Sequence, residues 1–124
     1  MKPIQVLLVD DEEELVSTLA ERLEIRGINA EWATSADAAC EKVKERKYDV
    51  AVLDVKLPCI SGFDLQRKMA QIAPEVKFMF MTGHGSPGGF TGKNTEADLY
   101  DCLIKPVDID VLIEKIRDAM KQKE

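Results

Sequence analysis

Two short apolar runs constrain this chain more than anything else in it. IQVLLVD (4–10) and VAVLD (50–54) each carry an unbroken apolar core that runs straight into aspartate. Neither run alternates with polar residues, and both are too short for a typical helix. They read as strands buried on both faces, which is the habit of a parallel sheet covered by helices. The rest of the chain supplies the covering. Leu15, Val16, Leu19 and Leu23 recur at helical spacing, with Gly27 as a stop. INAEWA (28–33) alternates as a short strand. Ser35 is placed to cap a helix whose apolar face is Ala36, Ala39, Cys40 and Val43.

The same alternation continues to the end. Ser61, with Asp64 three residues on, resembles a capping box opening a helix that uses Leu65, Met69 and Ile72, with Pro74 beyond it. VKFMFMT (76–82) and DCLIK (101–105) read as strands. Asp108 is placed to cap a last helix that turns Ile109, Leu112, Ile113 and Ile116 inward. Strand and helix alternate five times, and parallel strands joined by right-handed helical crossovers satisfy that order. One segment resists it. GHGSPGGFTGKNTEADLY (83–100) should be helical, yet Pro87, Gly88, Gly89 and Gly92 oppose a helix in its first half. The reading there is a long loop followed by a short helix, an irregular or shortened fourth helix.

In an open parallel sheet, ligands bind beyond the carboxyl ends of the strands. The first strand delivers Asp10 and Asp11 there, the third Asp54, the fourth Thr82 and the fifth Lys105. Three carboxylates brought together repel one another and raise each other's pKa values, and one ammonium offsets only one of them. A hard divalent cation bound through oxygen meets the surplus, and Mg²⁺ fits best because it shares carboxylates with waters and phosphate oxygens. The lone histidine, His84, and the scattered Cys40, Cys59 and Cys102 argue against zinc. A carboxylate beside Mg²⁺, a lysine and a hydroxyl is equipped for phosphoryl transfer, with Asp54 as nucleophile.

The stretches VLLVDDEEE, VLDVKLPCISG, MTGHGS and LIKPVD together resemble the receiver domain of bacterial two-component response regulators, over essentially the whole chain. The resemblance implies a flavodoxin-like (βα)5 fold with a five-stranded parallel sheet in the order 2-1-3-4-5, and residues 1–124 as one receiver domain. It implies Asp54 as acceptor of a phosphoryl group from a histidine kinase or histidine phosphotransfer protein, and control of an output domain or downstream protein. Asp11, Asp54 and the backbone carbonyl of Lys56 would bind Mg²⁺, with Asp10 acting through a water. Thr82 would be the switch hydroxyl and Lys105 the phosphate partner, and the Lys105–Pro106 peptide is often cis in such domains. The family is compatible with a homodimer, and it is not an enzyme beyond catalysing its own phosphorylation and dephosphorylation.

The chain also departs from the family pattern. Cys102 stands where an aromatic residue usually reports the switch, and Tyr100, two residues earlier, is the candidate substitute. Lys56, two after the acceptor, and His84, two after Thr82, are placed to govern water access and so the lifetime of the phosphoryl group.

Composition narrows the alternatives. A formal charge of −6, from 17 basic and 23 acidic residues, argues against a general basic grip on nucleic acid. No apolar run approaches the ~20 residues of a membrane span, and the first residues lack a secretory signal, so the expected compartment is the cytoplasm. Three rival readings remain to be weighed. An Asp-nucleophile phosphatase wants DxDxT after the first strand, which VDDEEE does not match. A nucleotide-binding loop at PGGFTGKN has Pro87 and Asn94 where Gly and Ser or Thr belong. A receiver-like interaction module that works without phosphate is argued for by Cys102 and the irregular segment, and against by the intact set of five residues.

Overall fold

The computed structural model describes residues 3–83 and 102–123. In chain order the elements are β1 (Gln5–Val9), α1 (Glu13–Ile25), β2 (Asn29–Ala33), α2 (Ala36–Glu45), β3 (Val50–Asp54), α3 (Gly62–Ile72), β4 (Lys77–Thr82), β5 (Cys102–Ile104) and α4 (Ile109–Lys123). All strand pairings are parallel and the sheet order is β2-β1-β3-β4-β5. This is the flavodoxin-like arrangement. The segment between β4 and β5 that the sequence reads as irregular, with His84 and Tyr100, lies outside the described residues apart from Gly83.

The unbroken apolar runs are explained by two cores, one on each face of the sheet. Val6, Leu8, Val50, Val52, Met79 and Met81 face α1 and α4, where they meet Val16, Leu19, Leu23, Leu112 and Ile116. Leu7, Val9, Ala51, Leu53 and Phe80 face α2 and α3, where they meet Ala39, Val43, Leu65 and Met69. Successive side chains point to opposite faces, so a strand covered on both sides has no position for a polar residue until it ends. Each fully buried Val or Leu contributes roughly 1.5–3 kcal/mol relative to exposure.

The helix ends follow from local chemistry. Ser35 Oγ accepts from the Ala38 N–H at 3.1 Å and Ser61 Oγ from the Asp64 N–H at 3.0 Å. Asp108 Oδ1 accepts from the N–H groups of Asp110 and Val111 at the start of α4. α1 stops in a Schellman motif. Gly27 takes φ +87°, its N–H donates to Glu24 O, and the Ile28 N–H reaches back to Leu23 O.

Two readings of the sequence need correction. The Ser61–Asp64 pair completes only half of a capping box, because the Asp64 carboxylate pairs instead with Arg67, one turn along. Ile72, at the last position of α3, is 37% exposed, so the burial expected from its helical spacing is incomplete. Cys59 is exposed, whereas Cys40 and Cys102 are half-buried.

Candidate functional site

The strand register explains why distant acids meet. Leu8 pairs with Val52, Asp54 with Met81, and Met81 with Leu103. Leu8, Val52, Met81 and Leu103 all face the α1/α4 core. Asp10 lies two residues beyond Leu8, Asp54 two beyond Val52, and Lys105 two beyond Leu103. Each continues the same side-chain row past the point where apolar packing ends. The ladder itself also runs on. Asp10 N–H donates to Ala33 O, Val55 N–H to Met81 O and Lys105 N–H to Thr82 O at 2.8 Å. The backbone at the site is therefore held by the sheet rather than by free loops.

The side chains converge. Carboxylate oxygens of Asp10, Asp11 and Asp54 lie within 4.8 Å of one another. Asp10 is fully buried, Asp54 is 5% exposed and Asp11 faces solvent. Lys105 Nζ lies 2.5 Å from Asp10 Oδ2 and 3.4 Å from Asp54 Oδ2. The Lys56 N–H donates to Asp54 Oδ1 at 3.2 Å and orients the carboxylate. Thr82 is buried at the end of β4, joined to Lys105 through the backbone bond just described. The Lys105–Pro106 peptide is cis. Cys102 sits opposite Phe80 in the β4–β5 register and packs against the α2/α3 core.

The charges at this edge are unbalanced. Burial pushes the Asp54 carboxyl above the usual aspartate range. The neighbouring Asp10 carboxylate adds to the rise, and Lys105 and the Lys56 N–H offset only part of it. Burial opposes the charge on Lys105, but Asp10 and Asp54 outweigh it and hold the ammonium above the ordinary lysine range. Asp10 Oδ2 is buried and accepts no hydrogen bond of ordinary geometry from the described residues, although it touches the ammonium as an ion pair. Three hard carboxylates with a surplus negative charge form a donor set that suits Mg²⁺.

Two residues that the sequence reading passed over belong to this edge. Glu12 Oε1 lies 3.4 Å from Lys105 Nζ, and the Glu12 N–H donates to Asp10 Oδ1 at 2.9 Å. In the sequence it is one acid in a block, 93 positions from its partner. Gly62 opens α3 directly against β3. Its N–H donates to Val55 O at 2.8 Å, and a Cβ there would fall 2.4 Å from the backbone oxygen of Asp54. Its sequence signal was present, since glycine is a poor helix former placed immediately after the capping serine. Beside Lys105, a groove of about 750 Å³ runs between α1 and the turn before α4, lined by Glu12, Leu15, Thr18, Arg22, Pro106 and Val107 among others.

Residues 6–117 match the model of the response regulator receiver domain. The chain belongs to that family, the receivers of two-component signalling. It is 30% identical over 122 residues to the transcriptional regulatory protein GlrR of Escherichia coli K12, covering 98% of this chain and 27% of GlrR. It is 29% identical over 116 residues to the response regulator protein TmoT of Ectopseudomonas mendocina, covering 94% of this chain and 52% of TmoT. The chain thus spans about a quarter to a half of these relatives. Among solved structures, it is similar to a response regulator receiver domain protein from Clostridium thermocellum, with a TM-score of 0.83 and 28% identity over 97% of this chain and 96% of that one. A CheY-like receiver domain from Methylobacillus flagellatus matches with a TM-score of 0.81 and 30% identity over 95% and 99% of the two chains. Among the described residues, no helix is long and apolar enough to cross a membrane.

Proposed function

We propose that this chain is a phosphoacceptor, taking a phosphoryl group on Asp54 from a phosphohistidine of a histidine kinase or phosphotransfer protein. The observation that carries this is the buried Asp54 carboxylate, at the end of β3 and within reach of both Lys105 and the Asp10–Asp11 pair. An ionised carboxylate needs no general base. An Asp54 oxygen attacks phosphorus, a carboxyl O–P bond forms, and the donor's N–P bond breaks. The imidazole departs with the electron pair and takes a proton from solvent or its own protein.

The remaining residues have roles that follow from their positions. The Lys56 N–H fixes one Asp54 oxygen, so the other is presented on the Lys105 side. The Lys105 ammonium is placed to neutralise charge on the transferred group. Thr82 offers a hydroxyl from the neighbouring strand and serves as the switch. Asp11, Asp54 and the Lys56 carbonyl would hold Mg²⁺, with Asp10 through a water. When bound, the ion neutralises the acids and the transferred phosphoryl oxygens. The resulting change in conformation would act on an output domain or a downstream protein, in the cytoplasm.

Cys102 supports a second reading. With no aromatic ring at that position, the fold could serve as an interaction module that no longer signals by phosphate. Incubation with Mg²⁺ and acetyl phosphate, followed by intact mass measurement, separates the two. The phosphoacceptor gains one phosphoryl group, and Asp54→Asn does not. No gain in the wild type favours the module, and a gain that survives Asp54→Asn places the acceptor elsewhere.

A further inference from the structure

Glu12 reaches the acidic site with both its backbone and its side chain. The backbone N–H holds Asp10 Oδ1, and the carboxylate stands 3.4 Å from Lys105 Nζ. Glu12 is the N-cap residue of α1, but its side chain makes no capping hydrogen bond. The oxygen that a cap residue ordinarily gives to its own helix is directed at the lysine instead. Three carboxylates therefore share one ammonium. Asp10 and Asp54 meet it from the buried side, and Glu12 meets it at the mouth, where its side chain is 65% exposed.

This arrangement matters for cation binding. Lys105 lies against two of the three carboxylates a divalent cation would use, so its charge both repels the ion and competes for the same oxygens. The ammonium has to give way, and Glu12 is the acceptor in contact with it on the solvent side. We propose that Glu12 is a positioning residue that draws the Lys105 ammonium off Asp10 and Asp54, so that divalent-cation affinity depends on Glu12 through Lys105. The inference rests on reading the acidic cluster as a cation site.

A nearby carboxylate also attracts a cation directly through space, and that attraction does not require Lys105. A double-mutant cycle separates the two effects. The full chain, stripped of metal, is titrated with Mg²⁺ alone by calorimetry as wild type, Glu12→Gln, Lys105→Met and the double variant. Lys105→Met alone binds Mg²⁺ more tightly, because the competing charge is gone. Glu12→Gln weakens binding about fourfold when Lys105 is present, the order of effect that a solvent-exposed ion pair supplies. In the Lys105→Met background the same substitution changes affinity by less than about 1.5-fold, within the additivity of uncoupled sites. Equal weakening in both backgrounds overturns the inference alone and leaves Glu12 as a surface charge. A wild-type chain that takes up no Mg²⁺ overturns the cation site and this inference together.

Discussion

Two charged clusters in this molecule are built from similar residues and differ in whether the charges are matched. At the β2 edge, Glu31 is surrounded by partners. Its Oε1 accepts from Tyr48 Oη at 3.0 Å and Lys42 Nζ at 3.2 Å, and Arg46 pairs with its other oxygen. Burial works against the Glu31 charge, but these partners outweigh it and hold the carboxyl below the usual glutamate range. At the carboxyl edge of the sheet the ratio is reversed. Asp10, Glu12 and Asp54 share Lys105, with Asp11 close by, and the Asp54 carboxyl is pushed up. The first cluster is complete as it stands and braces α2 and the turn after it against the sheet. The second needs more positive charge than the described residues supply, which fits a site that takes up a cation.

Replacing Lys105 should break this contrast most severely. Lys105→Met removes the one cation found in the acidic cluster among the described residues. Transfer from acetyl phosphate to Asp54 should slow by about 10²-fold, the scale of losing one preorganised charge partner. Phosphorylation rates by quenched-flow or mass measurement check this, and a change under threefold would mean the ammonium is idle. Gly62→Ala tests the packing that supports Asp54. A Cβ there overlaps the Asp54 backbone oxygen, which cannot move without disturbing β3. The expected cost is about 2 kcal/mol in urea unfolding, as for other overpacked sites, with slower phosphorylation as well.

The smallest effect belongs to the matched cluster. Tyr48→Phe removes a single hydrogen bond to Glu31 and should cost about 1 kcal/mol, with phosphorylation by acetyl phosphate unchanged. The pH dependence of that cluster has a definite sign. Because the Glu31 carboxyl is lowered on folding, its contribution is present above the unfolded glutamate range and is lost as pH falls through the lowered value. A Glu31→Gln variant should lose stability relative to wild type at neutral pH and converge with it in acid.

The two clusters also differ in how far they could be read from the chain. Asp10, Asp54, Thr82 and Lys105 were accessible because each ends an apolar run. A strand covered on both faces cannot tolerate a polar residue sooner, so the position of the first one is informative. The sheet order was available through family resemblance, and the helices through their periodicity and caps. Glu31, Lys42, Arg46 and Tyr48 give no such signal. They are ordinary polar residues in an alternating strand, a helix and its exit, and only the packing of α2 on β2 brings them together. Glu12 was hidden for the same reason, since its partner belongs to the far end of the sheet. Ile72 misled in the opposite direction. Helical spacing places it on the inward face of α3, but among the described residues no neighbour covers it fully.

The central claim is that the surplus negative charge of Asp54 costs the fold stability that a bound divalent cation restores. Its direct test is the urea midpoint of wild type and Asp54→Asn, with and without Mg²⁺. The Asp54 carboxyl is raised on folding, so its ionised form opposes folding. The penalty is absent below the unfolded aspartate range and grows as pH rises through the raised value. At pH 7 without metal, Asp54→Asn should therefore be more stable than wild type, and the gap should close on acidification. Millimolar Mg²⁺ should raise the wild-type midpoint and leave the variant nearly unmoved. A metal-free wild type that is more stable than Asp54→Asn, with no response to Mg²⁺, would contradict the account.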